Sequence, residues 1–178
     1  MAKNQTYTGK WVDPLDIHIE DIDIEDIAHS LSLMCRFGGH VKEFYSVAQH
    51  SVEVSHFCDK EDEFWGLMHD ASEAYLIDIP RPLKSDPKFG SFYRETEKQV
   101  MQVICNKYHL PSKQPESVTG ADNILLATEI RDLMTKPFPL KINDSIISTL
   151  CKKIVPVSPK EAERMFLERF AILLSRSL

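Results

Sequence analysis

A chain of 178 residues with 43% hydrophobic composition can bury a sizeable core, and a single domain over 1–178 is expected. Lys plus Arg number 21 against 27 Asp plus Glu, a net charge of −6, which argues against unspecific binding to a nucleic-acid backbone. Met1–Lys10 has no apolar signal core, and the longest purely apolar stretch, Phe170–Leu174, is too short for a membrane span, so the expected location is the cytoplasm. The four cysteines (Cys35, Cys58, Cys105, Cys151) are widely spaced, form no C-x-x-C pair and read as reduced thiols.

Strand signals are scarce. Thr6–Val12 and the alternation Ile17, Ile19, Ile22, Ile24 are the only candidates for extended chain, and the acidic stretch Asp13–Asp26 reads as a solvated surface loop. Ile24, Ile27, Ala28, Leu31, Met34 and Cys35 then recur at helical spacing until Gly38-Gly39 stops the element. Ser46-x-x-Gln49 is a capping box that opens a helix to about Cys58, with His50 where the cap ends. Phe64, Leu67, Met68, Ala71, Ala74 and Tyr75 form an apolar stripe, terminated by Pro80 and Pro82. A helix from about Ser91 to Tyr108 is closed by Pro111, Lys113–Gly120 reads as a loop, and a helix from Asp122 to about Thr135 ends before Pro137 and Pro139. Ser158-Pro159-Lys160-Glu161 combines an N-cap, a proline at the first helical position and a capping-box glutamate. The helix it opens carries Ala162, Met165, Phe166, Phe170, Leu173 and Leu174 on its core face. The expected fold is all-α.

Chemistry concentrates in His69-Asp70-Ala71-Ser72-Glu73. If the segment is one regular α-helix, His69 and Glu73 share a face and Asp70 stands beside them at the border of the apolar stripe. An imidazole next to carboxylates suits a divalent transition metal that keeps positions open for water. Taken singly, His50 could be a helix-face histidine and Asp122 a favourable charge at a helix N-terminus. In chain order the four residues spell His, His-Asp, Asp.

That order resembles the HD-domain metal-dependent phosphohydrolases, a superfamily defined by H…HD…D on a helical core. The match is local as well as ordinal: Ser46-Val47-Ala48-Gln49-His50-Ser51-Val52-Glu53-Val54 surrounds the first position, Leu67-Met68-His69-Asp70-Ala71-Ser72-Glu73 the doublet, and Gly120-Ala121-Asp122-Asn123 the last. The resemblance spans roughly residues 6–136, with a metal core over about 24–136 and a C-terminal packing helix over 158–177. It is strongest to the small 5′-deoxynucleotidases and the phage dATP triphosphohydrolases.

The resemblance implies His50, His69, Asp70 and Asp122 as ligands of a Zn, Mn, Co or Fe ion, and Glu73 as the carboxylate that handles the proton of the attacking water. Arg36-Phe37 stands where that subgroup has an arginine on phosphate and an aromatic ring against the nucleoside. Asp78-Ile79-Pro80-Arg81-Pro82-Leu83-Lys84 resembles its D-x-P-x-P-x-K turn, which brings an aspartate and a lysine to the phosphate, with Arg81 a further candidate. The glycine pair after Phe37 leaves the pocket floor without side chains of its own. A metal in this setting lowers the pKa of bound water from 15.7 towards ~7, and burial of Glu73 would raise its carboxyl into a useful range. The expected activity is hydrolysis of a deoxynucleotide, first a dNTP such as dATP, alternatively a dNMP. A non-catalytic interaction module is the rival of another class. The expected partner is a small-molecule deoxynucleotide, with no nucleic acid and no membrane, and the resemblance implies a homo-oligomer.

Overall fold

The computed structural model describes residues 3–136 and 152–177, and among them the fold is all-α apart from one small hairpin. The hairpin pairs β1 (Asn4–Gln5) antiparallel with β2 (Trp11–Val12). The helices are α1 (Ile24–Leu33), α2 (Val47–Phe57), α3 (Glu63–Met68), α4 (Glu73–Leu76), α5 (Arg81–Lys84), α6 (Phe89–Tyr108), α7 (Glu116–Leu133) and α8 (Pro159–Ser177). No helix of the described residues is long and apolar enough to cross a membrane. The breakers Pro137 and Pro139, and Cys151, lie outside the described residues, while Cys35, Cys58 and Cys105 are free thiols.

Local signals set most of the helix starts. Asp23 caps α1 by accepting from the Glu25 amide, and Ser158 Oγ accepts from the Glu161 amide at the head of α8. Ser46 Oγ accepts from the Gln49 amide at the start of α2, but the expected reciprocal bond is missing. Gln49 instead spans outward, donating through Nε2 to the Val155 carbonyl and accepting through Oε1 from the Val157 amide. α2 is the hub of the molecule, packed against α1, α3, α7 and α8. The main core gathers Ile27 and Leu31 of α1, Val52 of α2, Leu67 and Met68 of α3, Val100 and Ile104 of α6, and Phe166 and Phe170 of α8.

Five expectations are corrected. The Ile17–Ile24 alternation is not a strand: a single turn of 3-10 helix covers Ile19–Asp21, and α1 begins at Ile24. The acidic stretch is not wholly solvated, because Asp26 is buried and accepts from both the amide and the hydroxyl of Thr8. Lys113–Gly120 is not a loop: α7 opens at Glu116 behind Pro115, whose fixed φ and lost N–H suit a helix start, and Gly120 lies within the helix. Asp122 therefore sits in the second turn of α7, too deep for the N-terminal dipole to explain it. Pro80 and Pro82 do not end the striped helix: α4 stops at Leu76 with Ile77 at φ 72°, and Pro82 sits in the first turn of α5.

The fifth correction bears on function. The stripe does not form one helix through His69 and Glu73. α3 ends at Met68, and the chain winds more tightly through a turn held by i→i+3 bonds from the amides of Ala71, Glu73 and Ala74 to the carbonyls of Met68, Asp70 and Ala71. With three residues per turn rather than 3.6, the regular helical face that would join His69 to Glu73 is not kept through this turn.

Candidate metal centre

Of the four expected ligands, His50, His69 and Asp122 form one group that could hold a metal ion, and Asp70 adjoins the two histidines. α2 supplies His50, fully buried; the end of α3 supplies His69 and Asp70; α7 supplies Asp122. His50, His69 and Asp122 each offer one ligand atom, all within 4.8 Å of one another. His50 Nε2 lies 3.2 Å from His69 Nε2, 3.3 Å from Asp122 Oδ1 and 3.7 Å from Asp70 Oδ2. Asp70 Oδ2 is 3.2 Å from His69 Nε2.

The partners of the outer ring nitrogens fix both tautomers. His50 Nδ1 sits 2.6 Å from Glu129 Oε1, and His69 Nδ1 sits 2.8 Å from the Gly66 carbonyl oxygen. A carboxylate and a carbonyl only accept, so both Nδ1 atoms carry the hydrogen. In the neutral rings both Nε2 atoms are then lone pairs, pointed at each other and at two carboxylates. Four acceptors converge with no donor among them, an arrangement that is stable only around a cation or with added protons.

The electrostatics follow from that convergence. Burial alone would lower both imidazole pKa values; carboxylates outweigh it, leaving His69 raised to about 9 through Asp70 and Asp122, and His50 raised through Glu129 and Asp122. Asp122 is the mirror case: burial pushes it up, but His50 and His69 bring it down to about 2. Asp70 is held well below the carboxylate range by His69, His50 and Arg36 against its burial. Mixed nitrogen and oxygen donors of this kind fit zinc, manganese, cobalt or iron, and each would have to displace protons to bind.

The remaining expected residues divide into two groups. Arg36 flanks the centre, its Nη1 3.6 Å from Asp70 Oδ2, and Arg81, its side chain largely exposed, has Nη2 3.6 Å from Asp122 Oδ2. Phe37 lies outside the cluster, in a left-handed backbone conformation (φ 57°) followed by Gly38 and Gly39 at positive φ, with the Arg36 guanidinium 5.6 Å from its ring centre. Glu73 and Lys84 form a separate pair beside the centre: Lys84 Nζ donates to Glu73 Oε1 at 2.8 Å and to Glu97 Oε1 at 2.9 Å. Glu73 Oε2 is buried without a partner. Burial and then Asp70 push the Glu73 carboxyl up to about 8 against the pull of Lys84. Asp78 is also raised, by burial and by Asp70, with Arg36 and Lys84 opposing.

Two residues of this neighbourhood have no place in the sequence reading. Glu97 of α6 completes the Lys84 contact, and Glu129 of α7, fully buried, accepts from His50 with one oxygen and from Arg36 Nε and Nη2 at 3.1 and 3.0 Å with the other. Glu129 follows Asp122 by two helical turns, a spacing that places both on one face and that the expected helix from Asp122 to about Thr135 already contained.

Fold and site together define an all-α protein with a partly buried His/Asp cluster between three helices. No protein-family model matches the chain. The uncharacterized protein YfdR of Escherichia coli (strain K12) is 43% identical over 171 residues, covering 96% of this chain and 94% of YfdR. An uncharacterized protein of Rhodobacter capsulatus is 29% identical over 175 residues, covering 93% of this chain and 79% of that protein. The chain belongs to the family of YfdR.

Proposed function

We propose that the chain is a cytoplasmic, metal-dependent phosphohydrolase of deoxynucleotides, with the HD-domain chemistry that the order His50, His69-Asp70, Asp122 resembles. The observation that carries this reading is the convergence of His50 Nε2, His69 Nε2, Asp70 Oδ2 and Asp122 Oδ1 within 3.2–3.7 Å contacts, with both Nδ1 hydrogens committed elsewhere. A divalent ion held by these four supplies Lewis acidity and a water that ionises near neutral pH. Glu73, with one oxygen on Lys84 and the other unpartnered, holds a proton near neutral pH and is the residue of this chain suited to exchange it with the reacting water. Arg36 Nη1 beside Asp70 and Arg81 beside Asp122 are each placed where they could contact a phosphoryl oxygen.

Between the two substrates, a specific observation favours the monophosphate over the triphosphate first expected. Arg36 gives its Nε and Nη2 to Glu129 and keeps only Nη1 toward the site, and Lys84 is shared by Glu73 and Glu97, so among the described residues Arg81 is the loosely held cation beside the centre. A triphosphate chain brings about four negative charges near neutral pH and would meet Asp70, Asp78 and Asp122 with little to offset them; a single phosphate demands less.

The test is to incubate metal-loaded protein with dNTPs, NTPs and dNMPs and resolve the products. Phosphate released from dNMPs establishes the nucleotidase, deoxyadenosine plus triphosphate from dATP establishes the triphosphohydrolase, and silence with every metal favours the interaction module.

A further inference from the structure

We propose that Glu129 is the positioning residue of the centre, holding His50 in the tautomer that frees Nε2 for a metal while holding Arg36 so that only Nη1 faces the site; this rests on the metal reading above. The two oxygens of Glu129 are divided between these tasks, Oε1 at 2.6 Å from His50 Nδ1 and Oε2 at 3.1 and 3.0 Å from Arg36 Nε and Nη2. Both tasks require an acceptor. A carboxylate meets them at once because each oxygen is an acceptor, and its charge offsets a guanidinium that is itself largely buried.

An amide of the same shape cannot do both. If the oxygen of a glutamine turned to His50, its NH2 would face the guanidinium, donor against donor. If the oxygen turned to Arg36, its NH2 would donate to Nδ1, and His50 would carry its hydrogen on Nε2, where a metal must bind. Arg36 is the stronger competitor, with two donors and a full charge. Glu129→Gln should therefore weaken metal binding through the tautomer, and only while Arg36 is present.

The experiment titrates zinc into the wild type, Glu129→Gln, Arg36→Met and the double variant. Glu129→Gln should bind zinc at least tenfold more weakly than the wild type, within the ~10–100-fold range for lost partners of metal-bound histidines. In the Arg36→Met background the same substitution should cost under about threefold, because the amide oxygen is then free to accept from His50; this is the cycle's coupling between the two positions. Equal losses in both backgrounds, or none in either, overturn the proposal. Should Glu129→Gln not fold, 15N spectra of the zinc-loaded wild type decide: the His50 ring must bind through Nε2 with a hydrogen on Nδ1, and coordination through Nδ1 overturns the role. A wild type that binds no divalent ion overturns the metal reading itself, whereas tight wild-type binding matched by Glu129→Gln overturns the positioning role alone.

Discussion

Replacing Lys84 by methionine keeps the aliphatic stem and removes one ammonium that two carboxylates share, Glu73 Oε1 at 2.8 Å and Glu97 Oε1 at 2.9 Å. Glu73 is 3% exposed and Lys84 23%, so the interaction is only partly screened by solvent. An opposite charge at this distance lowers a carboxyl pKa by ~1–3 units, or roughly 1–4 kcal/mol at ~1.4 kcal/mol per unit. Glu73 sits at about 8 with Lys84 in place; without it, Glu73 titrates higher still. Near pH 6 Glu73 is then protonated in both proteins, and the variant loses only the Glu97 contact and a neutral hydrogen bond, about 1–2 kcal/mol. As pH rises through 8, Glu73 ionises in the wild type while the folded variant keeps its proton, so the variant's stability falls faster, and one proton at ~1.4 kcal/mol per pH unit widens the difference by roughly 1–2 kcal/mol by about pH 9.5. Urea unfolding of both proteins in chelator, at steps from pH 6 to pH 9.5, measures this directly. A difference that stays flat, or narrows as pH rises, refutes the reasoning.

Asp70→Ala should abolish hydrolysis and lower bound metal by well over tenfold, read by metal analysis after gel filtration; full activity would remove Asp70 from the centre. Glu73→Ala should retain its metal but lose ~100-fold or more in turnover, as for a missing general acid/base, and an equal loss of metal would make Glu73 a ligand instead. Gly90→Ala should destabilise by about 1–3 kcal/mol in urea, because the added Cβ would lie 2.6 Å from the Lys84 carbonyl carbon and force α5 and α6 apart; a change below half a kcal/mol would show that the junction yields.

Most of the helices were legible in the sequence because they are written locally, and the order of His50, His69 and Asp122 along the chain singled out three residues whose ligand atoms come together. Ile27, Ala28 and Leu31 mark the buried face of α1 by spacing alone, and Ser158-Pro159 marks the head of α8. What was illegible depends on partners far along the chain. Arg36 meets Glu129 across 93 residues, and a lone arginine in sequence says nothing of whether its charge is free for a phosphate. Glu129 shares a helix with Asp122 on the expected bounds as well as on the observed ones, but its role is written only in partners far away, Arg36 and His50, which meet it across 93 and 79 residues. The tight turn after Met68 was hidden for the opposite reason. Ala71, Ala74 and Tyr75 keep a helical rhythm in the sequence, and the change of winding shows only in the backbone bonds from Ala71, Glu73 and Ala74 to residues three before them.

The position of the centre follows from an unusual property of α2. It is enclosed on most sides, with Gln49, His50, Ser51 and Ser55 buried alongside Val47, Ala48, Val52 and Val54. Apolar contacts alone would let neighbouring helices slide along such a rod, since hydrophobic attraction has no direction. Its buried polar side chains supply direction. Gln49 ties both ends of its amide to the chain leading into α8, Ser55 Oγ accepts from Arg169 Nε of α8, and His50 donates to Glu129 of α7. Each such bond is costly to break without replacement, because the partner left behind is buried too. His50 therefore sits between two fixed anchors on its own helix, Gln49 beside it and Ser55 further along, and its ring approaches His69 and Asp122 at a distance that packing volume by itself would not hold.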